Sequence, residues 1–460
     1  MTGCGVHADA GGPRPVMRSR GSAARFCGDG LALIAALIAT SSGAAVAADA
    51  GAQSVKTAAQ NTAQAAHHAS DSRVAATDVV KTDLREAQPL GAKQTGGAAV
   101  PPVPTLADAA FEKRLRARIA DIRGAGAPGV LVHVRRKGAR YEIADGFADR
   151  VARRRANRQT VWRIASVTKL IVAHLTLDLA RRRIIDLQQR LGSLVHGLPD
   201  GIARLKLADL LDHSSRVPEY LDQAVFGSTG SSMHDMAGAR VDPEALFVAA
   251  LQRAWDIDPL ADHQYANTNY VLVQHAIEAA SGAPIETLLK QRLLQPLGLL
   301  STGFVTAEGD LPANHLRGYV RGDTPRGAFT DADGLLDVTR HRYFAGGDGG
   351  MWSSMSDLSR ILDHIWRAEG TSRSPLGRMT TTLKSDHDGF YQYGYGVMVV
   401  KVRCGQRIYG HEGLDLGTVT YAFANADNSR QLILAANLSL DNNIALDAAM
   451  QRLRDTVFCR

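Results

Sequence analysis

The stretch WRIASVTKLIVAHLTLDLA, Trp162 to Ala180, decides the reading of this chain. It is an apolar run with helical character, and near its start stands Ser166-Val167-Thr168-Lys169. Residues three apart share a helix face, so a hydroxyl and an ammonium lie one turn apart. A lysine so placed can take the serine proton or hold the alkoxide by charge, turning a poor nucleophile into an attacking one. The same residues also fit a capping serine beside a solvated lysine, and chance supplies roughly one Ser-x-x-Lys in a chain of this length. The pair needs partners before it carries chemistry.

Two further pieces fit it. In HQYANTNYVLVQHAIEAASG, Tyr265-Ala266-Asn267 sets a phenol and a carboxamide on one side of an extended turn before an apolar helix. Near a lysine ammonium a phenol loses its proton more easily and can serve as a base, while the carboxamide can donate to a carbonyl or hold the lysine. A structural tyrosine followed by an asparagine cap is the simpler alternative. In the strand-like IYGHEG, His411-Glu412-Gly413 combines a histidine with a glycine that lets an acyl group approach the strand. The next amide, that of Leu414, can then point at a developing oxyanion. A lone strand histidine is more often structural, so each piece depends on the others.

Competing chemistries lack their motifs. The chain has no G-x-S-x-G elbow, no H-E-x-x-H and no CxxC, and its histidines lack metal spacing. The glycine cluster AGGDGGMW, Ala345 to Trp352, lacks the Lys-Ser/Thr ending of a phosphate loop and reads as a tight turn before the helix SDLSRILDHIW. No cofactor or metal is expected.

Both ends of the folded part contribute strands. ADAAFEKRLRARIADIR (Ala107 to Arg123) has helical spacing, and GVLVHVRRKGARYEIADG reads as a hairpin about Lys137-Gly138. YGYGVMVVKV, IYGHEG, TVTYAFAN and QLILAANLS read as four strands, followed by a helix from about Asn443 to Phe458. Short connections imply antiparallel pairing. The expected fold class is α/β of the α+β kind: an antiparallel sheet flanked by N- and C-terminal helices, with a mostly helical insertion at about 185–344.

The 460-residue chain opens differently. Arg18, Arg20 and Arg25 precede LALIAALIA and the small-residue site Ala45-Val46-Ala47, the pattern of a secretory signal peptide over residues 1–47. Residues 48–104 are rich in Ala, Gln, Ser, Thr and Gly and end in VPPVP, the composition of a disordered linker. The folded domain then occupies 105–460. Secretion or a periplasmic location follows, with no stable membrane span once the signal is cleaved. The formal charge of +7 includes four Arg and two Asp in the first 47 residues. The basic residues are scattered, which argues against nucleic-acid binding. Of four cysteines, Cys404 and Cys459 would remain, as a disulfide in an oxidising compartment or as two buried thiols.

The order serine-x-x-lysine, tyrosine-x-asparagine, histidine-x-glycine resembles the beta-lactamase-related serine hydrolases, which include class C beta-lactamases, D-alanyl-D-alanine carboxypeptidases and esterases. The resemblance runs from about Phe111 to the C-terminus. GFADRVARRRANRQTVWRIASVTK looks like the family's hairpin-to-nucleophile segment, LKLADLLDHSSRVPEY like its helix and His-Thr-Ser-Gly-Leu-Pro turn, and IETLLKQRLLQPLGLLSTGF like its helix ending in Pro-Leu-Gly-Met. It implies a beta-lactamase or penicillin-binding-protein fold. Ser166 would be the acylated nucleophile, Lys169 its proton partner and Tyr265 the general base. Asn267 would hold lysine and substrate, His411 would face the substrate, and the amides of Ser166 and Leu414 would form the oxyanion hole. His387-Asp388-Gly389 is a decoy, since it precedes the strand before the expected one. Two departures bear on substrate. Arg216 stands where the family's turn has Gly, and Glu412 occupies the middle of the third motif, where it would repel a substrate carboxylate unless it faces the other side of the strand. The resemblance thus implies an ester, amide or beta-lactam bond, in a small molecule or a peptidoglycan-derived substrate, cleaved through an acyl-enzyme. The alternative is a penicillin-recognising or peptidoglycan-binding protein with little turnover.

Overall fold

The computed structural model describes residues 106–459 except 222–242, 253–262, 306–308, 322–333, 342–345, 368–373, 387–388 and 441–442. The signal-peptide and linker segments and the decoy's His387 and Asp388 therefore lie outside the described residues. Chain order begins with α1 (Leu106–Gly124), β1 (Gly129–Arg136), β2 (Ala139–Asp149), β3 (Arg154–Arg155), β4 (Trp162–Arg163) and α2 (Val167–Arg181). Helices α3 (Asp200–Ala203), α4 (Leu207–Leu211), α5 (Pro243–Leu251), α6 (Asn267–Ser281) and α7 (Ile285–Leu289) follow, then the short strands β5 (Gly303–Phe304), β6 (Tyr319–Arg321), β7 (Leu335–Asp337) and β8 (Met351–Ser353). The chain continues through α8 (Met355–Trp366), α9 (Pro375–Met379), β9 (Lys384–Ser385), β10 (Tyr391–Tyr393), β11 (Met398–Lys401), β12 (Arg407–Leu414), β13 (Val419–Asn425), β14 (Arg430–Ala436) and α10 (Ile444–Phe458).

The main sheet has the order β3-β2-β1-β14-β13-β12-β11-β10-β9, all antiparallel, so the two chain ends meet where β1 pairs with β14. Lys137 and Gly138, at φ 51° and 80°, supply the two left-handed residues that the tight β1–β2 turn needs. Both faces of the sheet are covered, which is why its strands read as apolar runs instead of alternating. Val130, Val132, Leu432, Leu434, Tyr421 and Phe423 pack with Phe111, Leu115, Leu453 and Val457 from α1 and α10. Leu131, Ala422, Ile433 and Ala435 join the second core, which contains α2 and α8. Among the described residues, no helix is long and apolar enough to cross a membrane.

One expected element divides. YGYGVMVVKV forms the hairpin β10–β11, with Tyr393 opposite Met398. Gly396 has φ 67°, and a methyl there would overlap Ala173 of α2, so the chain must turn where the apolar pattern alone reads straight through. Cys404, in the β11–β12 turn, is bridged to Cys459 at the end of α10, with Cα atoms 5.8 Å apart. The disulfide alternative is thus the one the fold adopts.

Candidate active site

Twelve of the fifteen residues of α2 are buried, so it is a core helix wrapped on all sides. It packs against β12, α6 and α9. Ser166 stands immediately before its first residue and is half-exposed, and its side chain makes no capping hydrogen bond. The capping explanation of this serine is therefore set aside, and the hydroxyl is turned elsewhere. Ala165 holds φ 48°, a left-handed backbone that a residue with a Cβ adopts at roughly 1–2 kcal/mol. Gly413 of β12 presses on this bend: a methyl there would overlap the Ile164 carbonyl oxygen and sit 3.3 Å from Ala165 Cβ. The strand's glycine and the nucleophile's turn thus fix one another.

Lys169 is fully buried, and its Nζ donates to Ser166 Oγ at 3.1 Å, Asn267 Oδ1 at 2.7 Å and the Asp348 carbonyl at 2.5 Å. Burial pulls its pKa down to about 8, against the opposing charges of Asp348 and Glu219. Two of the three partners can only accept; the third is a hydroxyl. A neutral amine fits this cage as well as an ammonium does, because its two N–H groups satisfy Asn267 and Asp348 while its lone pair faces Ser166. The site can therefore move the Ser166 proton onto Lys169 without rearranging.

Ala266 is extended (φ −143°, ψ 130°) and Asn267 begins α6, so Tyr265 and Asn267 project from the expected loop-to-helix junction. The loop is clamped by the segment after α4. The His213 carbonyl accepts from the Gln264 amide at 3.0 Å, and His213 Nδ1 accepts from the Ala266 amide at 3.3 Å and Asn269 Nδ2 at 2.9 Å. The His213 ring stacks on Tyr265 with centroids 4.3 Å apart. Glu219 accepts from the Asn267 amide and, at 2.8 Å, from that of Leu221. Arg216 within this clamp keeps φ 61°, the left-handed geometry suited to glycine.

Tyr265 itself corrects an expectation. Its ring lies 5.0 Å from Lys169 Nζ, yet burial drives its pKa well above the ordinary value, and the neighbouring Ser166 hydroxyl only partly offsets this. Desolvation of the phenolate is the dominant effect, with the negative charge of Glu219 adding to it. The hydroxyl is buried against the Ser166 hydroxyl, a neutral O–H beside the nucleophile.

His411 is buried, with Nδ1 donating to the Glu412 carbonyl at 2.5 Å and Nε2 accepting from the Tyr393 hydroxyl at 2.8 Å. Burial lowers its pKa to about 3, so it is a neutral ring with both nitrogens engaged. Its ring centroid is 6.3 Å from that of Tyr265, which places it beside the site as a wall without charge. Glu412 lies opposite Tyr421, on the sheet face carrying Phe423 and Val419, whereas His411 and Gly413 lie opposite Ala422 and Thr420 on the α2 side. The glutamate therefore points away from Ser166, and the repulsion it was expected to exert on a substrate carboxylate has no structural basis. β11 pairs only as far as Gly410, so the His411–Leu414 segment of β12 has no partner in β11.

The sequence reading missed Asp348, Glu219, His213 and Tyr393. Asp348 carried a signal, as the single side chain in Gly346-Gly347-Asp348-Gly349-Gly350. Among the described residues, no group of three His, Cys, Asp or Glu side chains could hold a metal ion.

Residues 110–455 match the beta-lactamase family. The chain belongs to that family. Similar beta-lactamase-family relatives include penicillin-binding protein 4* of Bacillus subtilis strain 168, 24% identical over 306 residues that cover 65% of this chain and 66% of that protein. Esterase EstB of Burkholderia gladioli is 32% identical over 285 residues, 56% of this chain and 69% of the esterase. The match to the Bacillus protein thus spans just under two thirds of its length. Among solved structures, a D-stereospecific amidohydrolase from Streptomyces sp. has a TM-score of 0.63 at 24% identity, covering 78% of this chain and 99% of that one. The D-amino acid amidase of Ochrobactrum anthropi SV3, complexed with L-phenylalanine amide, has a TM-score of 0.64 at 21% identity, with 75% and 98% covered. At these identities the two structures share the beta-lactamase-family fold, a helix-covered antiparallel sheet.

Proposed function

We propose that this protein is a serine hydrolase that cleaves an ester or amide bond through an acyl-enzyme on Ser166. The observation that carries the reading is the closed cage of Lys169, whose two obligate acceptors leave one direction for a lone pair, toward Ser166 Oγ. In this mechanism Ser166 Oγ attacks the substrate carbonyl as its proton passes to Lys169. The oxyanion is held by the amides of Ser166, at the positive N-terminal end of α2, and of Leu414, on the segment of β12 beyond its pairing with β11. Collapse expels the alcohol or amine, which takes its proton from the Tyr265 hydroxyl beside Ser166, and Lys169 returns a proton to Tyr265. Water then releases the acyl group by the same relay in reverse.

The esterase and amidase readings draw support from the neutrality of the third motif. With His411 uncharged and Glu412 turned away, β12 presents no cation to a substrate carboxylate, which favours neutral esters and amides over penicillins or peptides ending in D-alanine. The esterase and the D-amino acid amidase among the similar proteins point the same way. Secretion to an oxidising compartment, expected from the N-terminal pattern, is supported by the Cys404–Cys459 bridge. A panel of p-nitrophenyl esters, D-amino acid amides and a chromogenic cephalosporin tests the reading. Turnover of the first two classes by wild type and none by Ser166→Ala is expected; equal rates for the two proteins would refute it.

A further inference from the structure

The turn Gly346–Gly350 is glycine because it lies against α6: a methyl at Gly347 would stand 3.0 Å from the Tyr270 carbonyl, and one at Gly346 2.5 Å from Gln274 Oε1. The Gly347 amide donates to that same Gln274 oxygen at 2.7 Å. Asp348 is its only side chain, and it is fully buried. Its Oδ2 accepts from the Tyr220 hydroxyl at 2.6 Å and its Oδ1 from the Gly346 amide at 3.1 Å, while its backbone carbonyl accepts from Lys169 at 2.5 Å.

We propose that Asp348 is a positioning residue that sets the proton affinity of Lys169, its carbonyl aiming the amine at Ser166 and its carboxylate compensating the ammonium formed when Ser166 attacks. This inference rests on the serine-hydrolase reading above. A buried carboxylate with no catalytic contact of its own is a poor use of a tight turn unless its charge acts on a neighbour. The groups that face Lys169 are few. From α2 comes Ser166; from the loop and α6 come Tyr265, Asn267 and Tyr270, the two rings 5.0 and 5.7 Å from Nζ. His213 and His411 are neutral through burial, which leaves Asp348 and Glu219 as the negative charges acting on the amine. Asp348 is the one whose main chain bonds Nζ directly, and although burial raises the pKa of its carboxyl, the Lys169 charge and the Tyr220 and Gly346 hydrogen bonds pull it back down.

Opposite charges within about 4–6 Å typically shift a pKa by roughly one to three units. Asp348→Asn keeps the shape and the turn's carbonyl, and the Tyr220 hydroxyl can reverse to accept from the new amide. The readout is the second-order rate of Ser166 phosphonylation by a fluorophosphonate probe against pH, with the adduct located by mass spectrometry. In Asp348→Asn the acid limb should move down by about one pH unit or more, with a lower plateau because the amine is a weaker base. Asp348→Ala, which also deletes the charge, should move the limb the same way, so either variant serves if the other does not fold, as judged by its melting temperature. Tyr220→Phe removes a hydrogen bond that favours the ionised Asp348, so it should move the limb in the same direction by no more than the Asp348 variants do. A limb unmoved in a folded Asp348 variant, or moved further by Tyr220→Phe than by either Asp348 variant, would overturn the inference alone. Absence of labelling at Ser166 in wild type would instead overturn the serine-hydrolase reading beneath it.

Discussion

The pH dependence of acylation separates two candidate bases that stand side by side. Lys169 is held at about 8, whereas Tyr265 lies well above its ordinary value of 10. If the neutral amine receives the Ser166 proton, its population sets the rate. About one lysine in ten is neutral at pH 7, half at pH 8 and about nine in ten at pH 9, from the ordinary titration law. Acylation should therefore climb nearly tenfold per unit below pH 7, about fivefold from pH 7 to 8, and less than twofold from 8 to 9. The sign follows from burial, which destabilises the ammonium and brings the useful form into the neutral range. The assay is kcat/KM for a turned-over ester, corrected for spontaneous hydrolysis, or the probe-labelling rate. Lys169→Met, which fills the space without a base, should lose at least about a hundredfold at the plateau, the lower range for general-base catalysis. A limb continuing upward past pH 10 would refute the assignment and favour the Tyr265 phenolate. So would a flat profile between pH 6 and 9.

Two further outcomes follow from the geometry. The Cys404–Cys459 bridge closes a loop of 55 residues and pins the β11–β12 turn to α10, so the Cys404→Ser, Cys459→Ser double variant should lose up to about 4 kcal/mol of unfolding free energy in urea. A loss below about 1 kcal/mol would mean the bridge constrains little. Gly413→Ala would drive a methyl into the Ile164 carbonyl beside the strained Ala165, so it should destabilise by about 1–3 kcal/mol and lower kcat/KM by ten- to a hundredfold. Wild-type activity in that variant would show that β12 does not press on the nucleophile's turn.

Much of the fold and of the catalytic group is legible in the sequence because it rests on local signals. Residues three apart on a helix put Ser166 beside Lys169, and an extended turn before a helix presents Tyr265 and Asn267. The paired strands at the two ends announce themselves by apolar runs and tight turns. What the sequence conceals depends on register and on backbone contacts across the chain. The face of Glu412 follows only from its pairing with Tyr421, and the division of YGYGVMVVKV from the approach of Gly396 to α2. The third acceptor of Lys169 is a main-chain carbonyl 179 positions away, a group that every residue carries and no motif marks. Likewise, proximity to an ammonium suggests an acidic phenol at Tyr265, whereas burial, unreadable from neighbours in sequence, reverses the direction.

Covalent acylation of Ser166 is tested directly by intact-protein mass spectrometry after rapid acid quench. With a slowly released activated ester a mass increase of one acyl group is expected, mapped to the peptide containing Ser166, absent in Ser166→Ala and slowed in Lys169→Met. Turnover of the ester without any adduct at Ser166, or an adduct that persists in Ser166→Ala, would contradict it.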